Sequence, residues 1–338
     1  MTDSPPVLAV GAAAIDEWYA VSNLPEPDGG AFASEVTTAF GGVGANVCVA
    51  LDRLGREVGL VSRVGDDEYG RRAFEYLADT GVDASRVSVG NDPSTRSVIL
   101  SDPAGERTIV TTGESFRRLR LNETDREALA AADIVFLTGY TPDAVSRAVL
   151  DTIESAADPP ALVFDLSGSV EELVGRGTES ETIHRYLHAA DLFVADDVAA
   201  AAYFGGPDAA VDRVAAAQQA REANGRSPVT GDGWPRAVLT HGADGMTVVA
   251  DGAVTEFDAF DVDVVDATGA GDSFVAGLID RWIAGSDSGD DPRRERAGVA
   301  DGVRFAAAVA AINCTSRFAQ TGLPTRDDVE AFLAERGF

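Results

Sequence analysis

A chain of 338 residues, 45% hydrophobic and 7% aromatic, is long enough for one large α/β domain with a modest addition, and too apolar to be disordered overall. Its 56 acidic residues outnumber 27 basic ones, and a formal net charge of -29 sets aside an unspecific nucleic-acid surface by repulsion. Every basic residue is arginine, so a G-x-x-x-x-G-K-[ST] phosphate loop and Schiff-base chemistry, both of which need lysine, are excluded.

Met1–Pro6 lacks the basic-then-apolar order of a signal peptide. Val7–Val10 is short, apolar and β-prone and stops at Gly11, the pattern of a buried strand reaching a site edge. Ile15–Val21 and Ala31–Phe40 predict half-exposed strands. Ser97–Leu100 and Arg107–Thr112 predict a pair around the Asp102–Gly105 turn. These four segments are expected to form a small antiparallel sheet apart from the main domain. Gly44–Leu54 predicts a helix that ends at Gly55, followed by a strand at Val58–Val64 and a helix at Tyr69–Thr80.

Strands and helices then alternate through Ile134–Leu137, Asp143–Ala156, Ala161–Asp165, Glu181–His188, Leu192–Val194, Val198–Phe204, Asp208–Asn224, Ala237–Thr240 and Met246–Ala250. This rhythm predicts an α/β fold: a doubly wound, mostly parallel sheet with helices on both faces. Asn224–Pro235 reads as a loop-like insertion. Asp266–Asp272 is a glycine-rich turn entering a helix at Ser273–Ile283. An acidic loop at Gly285–Asp291 leads to a long Ala-rich helix near Ala297–Cys314, and Thr325 caps a closing helix at Arg326–Arg336.

Acidity spread over the whole chain, without lysine, reads as adaptation to concentrated salt, as in a halophile. At about 1 M salt the Debye length is only ~3 Å, and self-repulsion is screened. Cys48 and Cys314 sit in apolar runs as small core hydrophobes, not as a disulfide framework. No run approaches the ~18 apolar residues of a membrane span, so a soluble cytoplasmic protein is expected.

Two segments carry chemistry. In Asp266-Ala267-Thr268-Gly269-Ala270-Gly271-Asp272, small residues precede a helix, so backbone amides can converge on an anion. Asp272 would repel a phosphate bound there; its presence fits a base that takes a proton from an attacking hydroxyl. The plainer alternative is a glycine turn with a stabilising acid in the first helical turn. In Gly41-Gly42-Val43-Gly44-Ala45-Asn46, glycines admit a ligand and Asn46 offers donors and acceptors to a polyol, or the segment is simply a tight strand–helix turn. No segment completes G-x-G-x-x-G, so a dinucleotide fingerprint is unsupported. His184, His188 and His241 form no zinc-type cluster.

Taken together, Gly41–Gly55 (GGVGANVCVALDRLG) and Asp266–Gly277 (DATGAGDSFVAG) resemble the two signatures of the ribokinase-like, or PfkB, carbohydrate kinases. Val64-Gly65-Asp66-Asp67 with Gly70, Gly81-Val82, and Thr240-His241-Gly242-Ala243-Asp244-Gly245 also match, from about Val7 to Leu333. The resemblance implies a single kinase domain over residues 1–338, with lid strands inserted at about 12–42 and 95–115. It implies ATP- and Mg²⁺-dependent phosphoryl transfer to a sugar hydroxyl, a ketose being preferred. Asp272 would be the base, and Gly269, Ala270 and Gly271 the anion hole. Asp16, Gly42 and Asn46 would contact sugar. Thr240, Gly242, Gly245 and Thr268 would lie on the nucleotide side, with Cys314–Ala319 as a wall near the adenine.

The chain departs from the pattern in three places. Val43 replaces the lysine of ribokinases proper, Phe318 replaces a glycine, and the Asn-x-x-Glu metal motif reads Asp196-Asp197-Val198-Ala199, which leaves Asp196 as the candidate metal residue. The resemblance makes Arg107 a candidate phosphate contact, a solvated surface arginine being the plainer alternative. The resemblance also implies K⁺ activation, for which carbonyls near Asp266 and Thr268 could serve, and the open edges of the lid suggest a homodimer. A nucleoside kinase of the same family, and a catalytically weak sugar-binding protein that has lost the motif's glutamate at Ala199, remain the other readings.

Overall fold

The computed structural model describes residues 6–223, 237–250, 253–286 and 298–338. The expected insertion at Asn224–Pro235 and most of the acidic loop lie outside them. The chain begins with β1 (Val7–Val10), β2 (Ala14–Val21) and β3 (Ala33–Gly41), then α1 (Val43–Arg53), β4 (Val58–Gly65), α2 (Glu68–Ala78), β5 (Val87–Gly90), β6 (Arg96–Ser101) and β7 (Arg107–Thr112). Next come α3 (Glu123–Ala131), β8 (Ile134–Thr138), α4 (Asp143–Ser155), β9 (Ala161–Leu166), α5 (Val170–Leu173), α6 (Ser180–Ala189) and β10 (Leu192–Asp196). The short α7 (Asp197–Ala199), α8 (Pro207–Ala223), β11 (Ala237–Thr240), β12 (Met246–Ala250), β13 (Ala253–Phe257), α9 (Ala270–Ser286), α10 (Gly298–Cys314) and α11 (Arg326–Glu335) complete it.

The large sheet runs β13-β12-β11-β10-β9-β8-β1-β4-β5. From β5 to β11 every pairing is parallel, and β12 and β13 add an antiparallel edge. Alternation explains the layering. On β1, Val7 and Ala9 join the core under α1, α2, α9 and α10, while Leu8 and Val10 join the core under α3, α4, α6 and α8. Burying each large side chain of this kind contributes about 1.5–3 kcal/mol, so both faces are held mainly by apolar burial. The strand order reverses at β1, between β4 and β8, which opens a crevice beyond the carboxyl ends of the strands.

The smaller sheet, β3-β2-β6-β7, stands apart as a lid, but it is mixed and not antiparallel as expected. Its central pair, β2 and β6, is parallel because the two strands enter from separate crossings of the core, which no local turn signal reveals. Three further expectations are corrected. The helix after the glycine-rich turn starts at Ala270, so Gly271 and Asp272 lie inside its first turn. Val198–Phe204 is a short α turn running into a π-helical turn at Ala200–Phe204. The helix after the glycine-rich turn, expected to stop at Ile283, reaches Ser286. Thr325 caps α11 in a capping box with Asp328, as its sequence pattern requires. Both cysteines are buried and free.

Among the described residues, no helix is long and apolar enough to cross a membrane. With a charge of -29 on this frame, the melting temperature is expected to rise between dilute buffer and molar KCl as repulsion is screened. Equal melting temperatures in the two solutions would overturn the reading of salt adaptation.

Candidate active site

Gly269 sets the site's geometry. Its φ of +76° turns the chain into α9, and a Cβ there would sit 2.7 Å from the Ala319 carbonyl, a double reason for glycine. The turn before it is locked by Asp266. One carboxylate oxygen accepts the Thr268 amide at 2.9 Å and the Thr268 hydroxyl at 2.7 Å, and the other accepts the Phe318 amide at 2.8 Å. Ala270 spends its own amide on the Ala267 carbonyl at 3.2 Å, which leaves the amides of Gly271 and Asp272 as the first-turn donors. The space where a Gly271 side chain would project is open.

Asp272 lies in that first turn. Asn46 of α1 donates its amide to the Asp272 carboxylate at 2.6 Å, and Gln320 in turn donates to the Asn46 carbonyl oxygen at 2.7 Å. Burial pushes the Asp272 carboxyl up to about 6; the Asn46 bond opposes this and the Asp16 charge adds to it. Asp16, on the inner face of β2, is also raised to about 6 by burial, against a hydrogen bond from Ser97. A side chain at Gly41 would strike the Asp16 carboxylate, and Gly42 (φ +94°) lets α1 begin directly beneath it. Of the residues expected to touch a sugar, Asn46 bonds Asp272 and Asp16 lies within reach of its charge.

A second group of carboxylates lies at the ends of β9 and β10. Asp165 is buried and raised to about 7, mostly by desolvation, with Ser167 donating to it and with the charges of Asp272 and Asp196 adding to the rise. Asp196 caps α7 by accepting the Ala199 amide at 2.6 Å, and it pairs across the sheet with Thr240. His241 bonds Asp197 at 2.7 Å and Thr247 at 2.9 Å. Gly242 turns the chain after β11. Gly245 (φ +98°) backs onto the Phe257 carbonyl as the β11–β12 turn. Arg107 of β7 donates to the Thr268 hydroxyl and lies 3.6 Å from Asp266, so it bridges the lid to the turn. Phe318, in the left-handed region at φ +68°, packs edge-on against Trp18 with ring centroids 5.4 Å apart. Beside it, a cleft of about 500 Å³ runs between β3 and α2, lined by Phe40, Arg72, Tyr76 and Gln320.

A half-buried carboxylate in the first turn of a helix, beneath a lid, fits phosphoryl transfer to a hydroxyl, and residues 5–326 match the pfkB family of carbohydrate kinases. The chain belongs to that family. As a member it is a phosphotransferase acting on a hydroxyl group. This kinase is 31% identical over 337 residues to the ATP-dependent ribose-1-phosphate kinase of Halopiger xanaduensis, with 98% of each chain covered. It is 29% identical over 303 residues to a fructokinase of Klebsiella pneumoniae, covering 87% of this chain and 91% of the other. Its fold superposes on Arabidopsis thaliana ribokinase complexed with ribose and ATP with a TM-score of 0.74, at 23% identity and with 98% and 99% of the two chains covered.

Two residues of this kinase's site escaped the reading of the sequence. Asp165 ends an apolar strand, and a charge at the carboxyl end of a buried parallel strand is a usable signal that was not taken. Gln320 gives no local signal; only the fold sets it beside Asn46.

Proposed function

We propose that this kinase transfers the γ-phosphoryl group of Mg-ATP to a hydroxyl of a furanose-form sugar, with Asp272 as the base. The observation that carries the reading is the Asp272 carboxylate, half-buried in the first turn of α9 and oriented by Asn46. Asp16 would bind paired hydroxyls of the acceptor and hold its reacting oxygen toward Asp272. The amides at Gly271 and Asp272 would stabilise charge on the transferring group, with Gly269 and Ala270 shaping the turn. Thr240, Gly242 and Thr268 would flank the nucleotide.

Among the described residues no group of three or more side chains forms a metal cage. Mg²⁺ is commonly held by one or two carboxylates together with phosphates and water, so Asp196 and Asp165 fit such a role. The metal would supply charge neutralisation on the phosphates.

The identity of the acceptor divides into two readings. A ketose is one. Ribose 1-phosphate is the other, favoured by the full-length similarity to the Halopiger enzyme. Arg107 is then the candidate for the acceptor's phosphate, within reach once it leaves Asp266. A coupled ADP-release assay in molar KCl, with ketoses, aldoses, keto-deoxy acids, nucleosides and ribose 1-phosphate as acceptors, is expected to find turnover on one sugar. Matched NaCl tests K⁺ activation through carbonyls near Asp266 and Thr268. Silence on every acceptor, with the protein folded and ATP bound, would favour the sugar-binding reading and point to Ala199. The lid edges, with Val36, Ile109 and Val110 exposed, support a homodimer through the lid.

A further inference from the structure

The motif Gly65-Asp66-Asp67 with Gly70 plays no part in the site described above, yet it makes a dense set of contacts. Asp67 caps α2 by accepting the Gly70 amide at 2.9 Å, as an N-cap residue does. The same carboxylate also accepts the Ser94 hydroxyl at 2.6 Å and the Ser94 amide at 2.8 Å. Ser94 is buried, stands two residues before lid strand β6, and accepts the Gly65 amide on its hydroxyl at 2.9 Å. One step on, the Thr95 amide donates to the Ser115 hydroxyl at 2.9 Å, and the Phe116 amide donates to the Thr95 hydroxyl at 3.2 Å. The two chain crossings that carry β6 and β7 are thus bolted to each other and to α2.

The first turns of α2 also reach β2 and the edge strand β3 of the lid. Tyr69 donates its hydroxyl to Glu17 of β2 at 2.8 Å, and the Arg96 guanidinium of β6 lies 4.7 Å above the Tyr69 ring. Arg72 donates to the Thr38 hydroxyl of β3 at 2.5 Å. The crossings on the other side are built from Ala12-Ala13 and Gly41-Gly42, which have no polar side chain with which to tie anything.

We propose that the start of α2 is the mount of the lid, and that Asp67, acting through Ser94 and β6, is a positioning residue for Asp16. β6 pairs with β2 in a register that sets Ser97 directly opposite Asp16, so the position of β6 fixes what stands beside the Asp16 carboxylate. From Ser94 to Ser97 is three residues of extended chain, about 10 Å, too short to absorb a shift at its anchored end. A displacement of about 1 Å at a reacting group can cost on the order of 10²-fold in rate, so slack at the mount reaches the chemistry.

Two variants and a control test this. Ser94→Ala removes the hydroxyl tie but leaves the Asp67–Gly70 cap intact, and Asp67→Ala removes both. Asn122→Ala removes a cap of the same kind from α3, where Asn122 accepts the Asp125 amide at 2.9 Å away from the lid. In both mount variants the KM for the acceptor is expected to rise about tenfold with the KM for ATP little changed, and amide hydrogens of residues 14–21 and 96–101 are expected to exchange faster. Asn122→Ala should lose stability without either effect. Unchanged lid exchange and acceptor KM in Ser94→Ala, or the same changes in Asn122→Ala, would overturn the proposal. The KM arm rests on the sugar-kinase reading, whereas the exchange arm needs no acceptor and decides the matter if none is turned over.

Discussion

Replacing Asp272 by asparagine is expected to lower kcat by about 10²–10⁴-fold, the range contributed by a positioned general base. Asparagine has the same shape and can still meet Asn46, but it cannot take a proton. ATP binding and the melting curve should therefore survive while turnover is lost. The pH profile supplies a second signature. Burial raises the Asp272 carboxyl to about 6, and the base is its charged form. In the wild type kcat/KM should fall steeply as pH drops through about 6, where Asp272 and Asp16 both take up protons; the limb should be shallower in the residual activity of Asp272→Asn, where Asp16 titrates without Asp272. A variant as active as the wild type would remove Asp272 from the chemistry.

The second large effect is on stability. Asp280 of α9 is fully buried, and Arg56, from the turn after α1, donates to it at 2.7 Å. Arg326, at the start of α11, donates to the same oxygen and also to the Leu54 carbonyl at 3.2 Å. One carboxylate thus joins the end of α1, α9 and the closing helix. Asp280→Ala leaves two guanidinium groups facing each other in a poorly solvated space, and removing one partner of a buried pair costs about 3–5 kcal/mol. Denaturant unfolding measures this. Because the group is buried and salt screens it weakly, most of the loss should persist in molar KCl. The exposed pair Arg71–Glu68, at 2.7 Å on the surface of α2, should by contrast matter little when broken. A loss below 1 kcal/mol for Asp280→Ala would show that the two arginines reach water on their own.

Much of this molecule is legible locally. The apolar runs of β1, β8 and β9, the capping of α11 by Thr325 and the stop of α1 at Gly55 (φ +83°) each depend on a few consecutive residues. The edge strands β5 and β13 were missed for the converse reason. Each is short and partly exposed and takes its pairing from a neighbour already in place, so its own residues carry little periodic signal. The starting point of α9 was missed by a turn because Gly269-Ala270-Gly271 reads as a loop, until the packing of Gly269 on Ala319 settles where the helix begins.

The sequence by itself determined the layered α/β architecture, the two glycine turns, and Asn46 and Asp272 as candidate groups, because strand alternation, helix periodicity and turn chemistry act over a handful of neighbours; Asp16 stood out only through the resemblance to the family. Tertiary structure alone decided which of these groups meet. Asn46 and Asp272 are 226 residues apart, Arg107 and Thr268 are 161 apart, and Arg56 and Asp280 are 224 apart. Such contacts follow from how the sheet orders its strands and from how the lid is mounted on α2. The raised carboxyls of Asp16, Asp165 and Asp272 follow from the same cause, since burial is created by packing and is a property of no single residue.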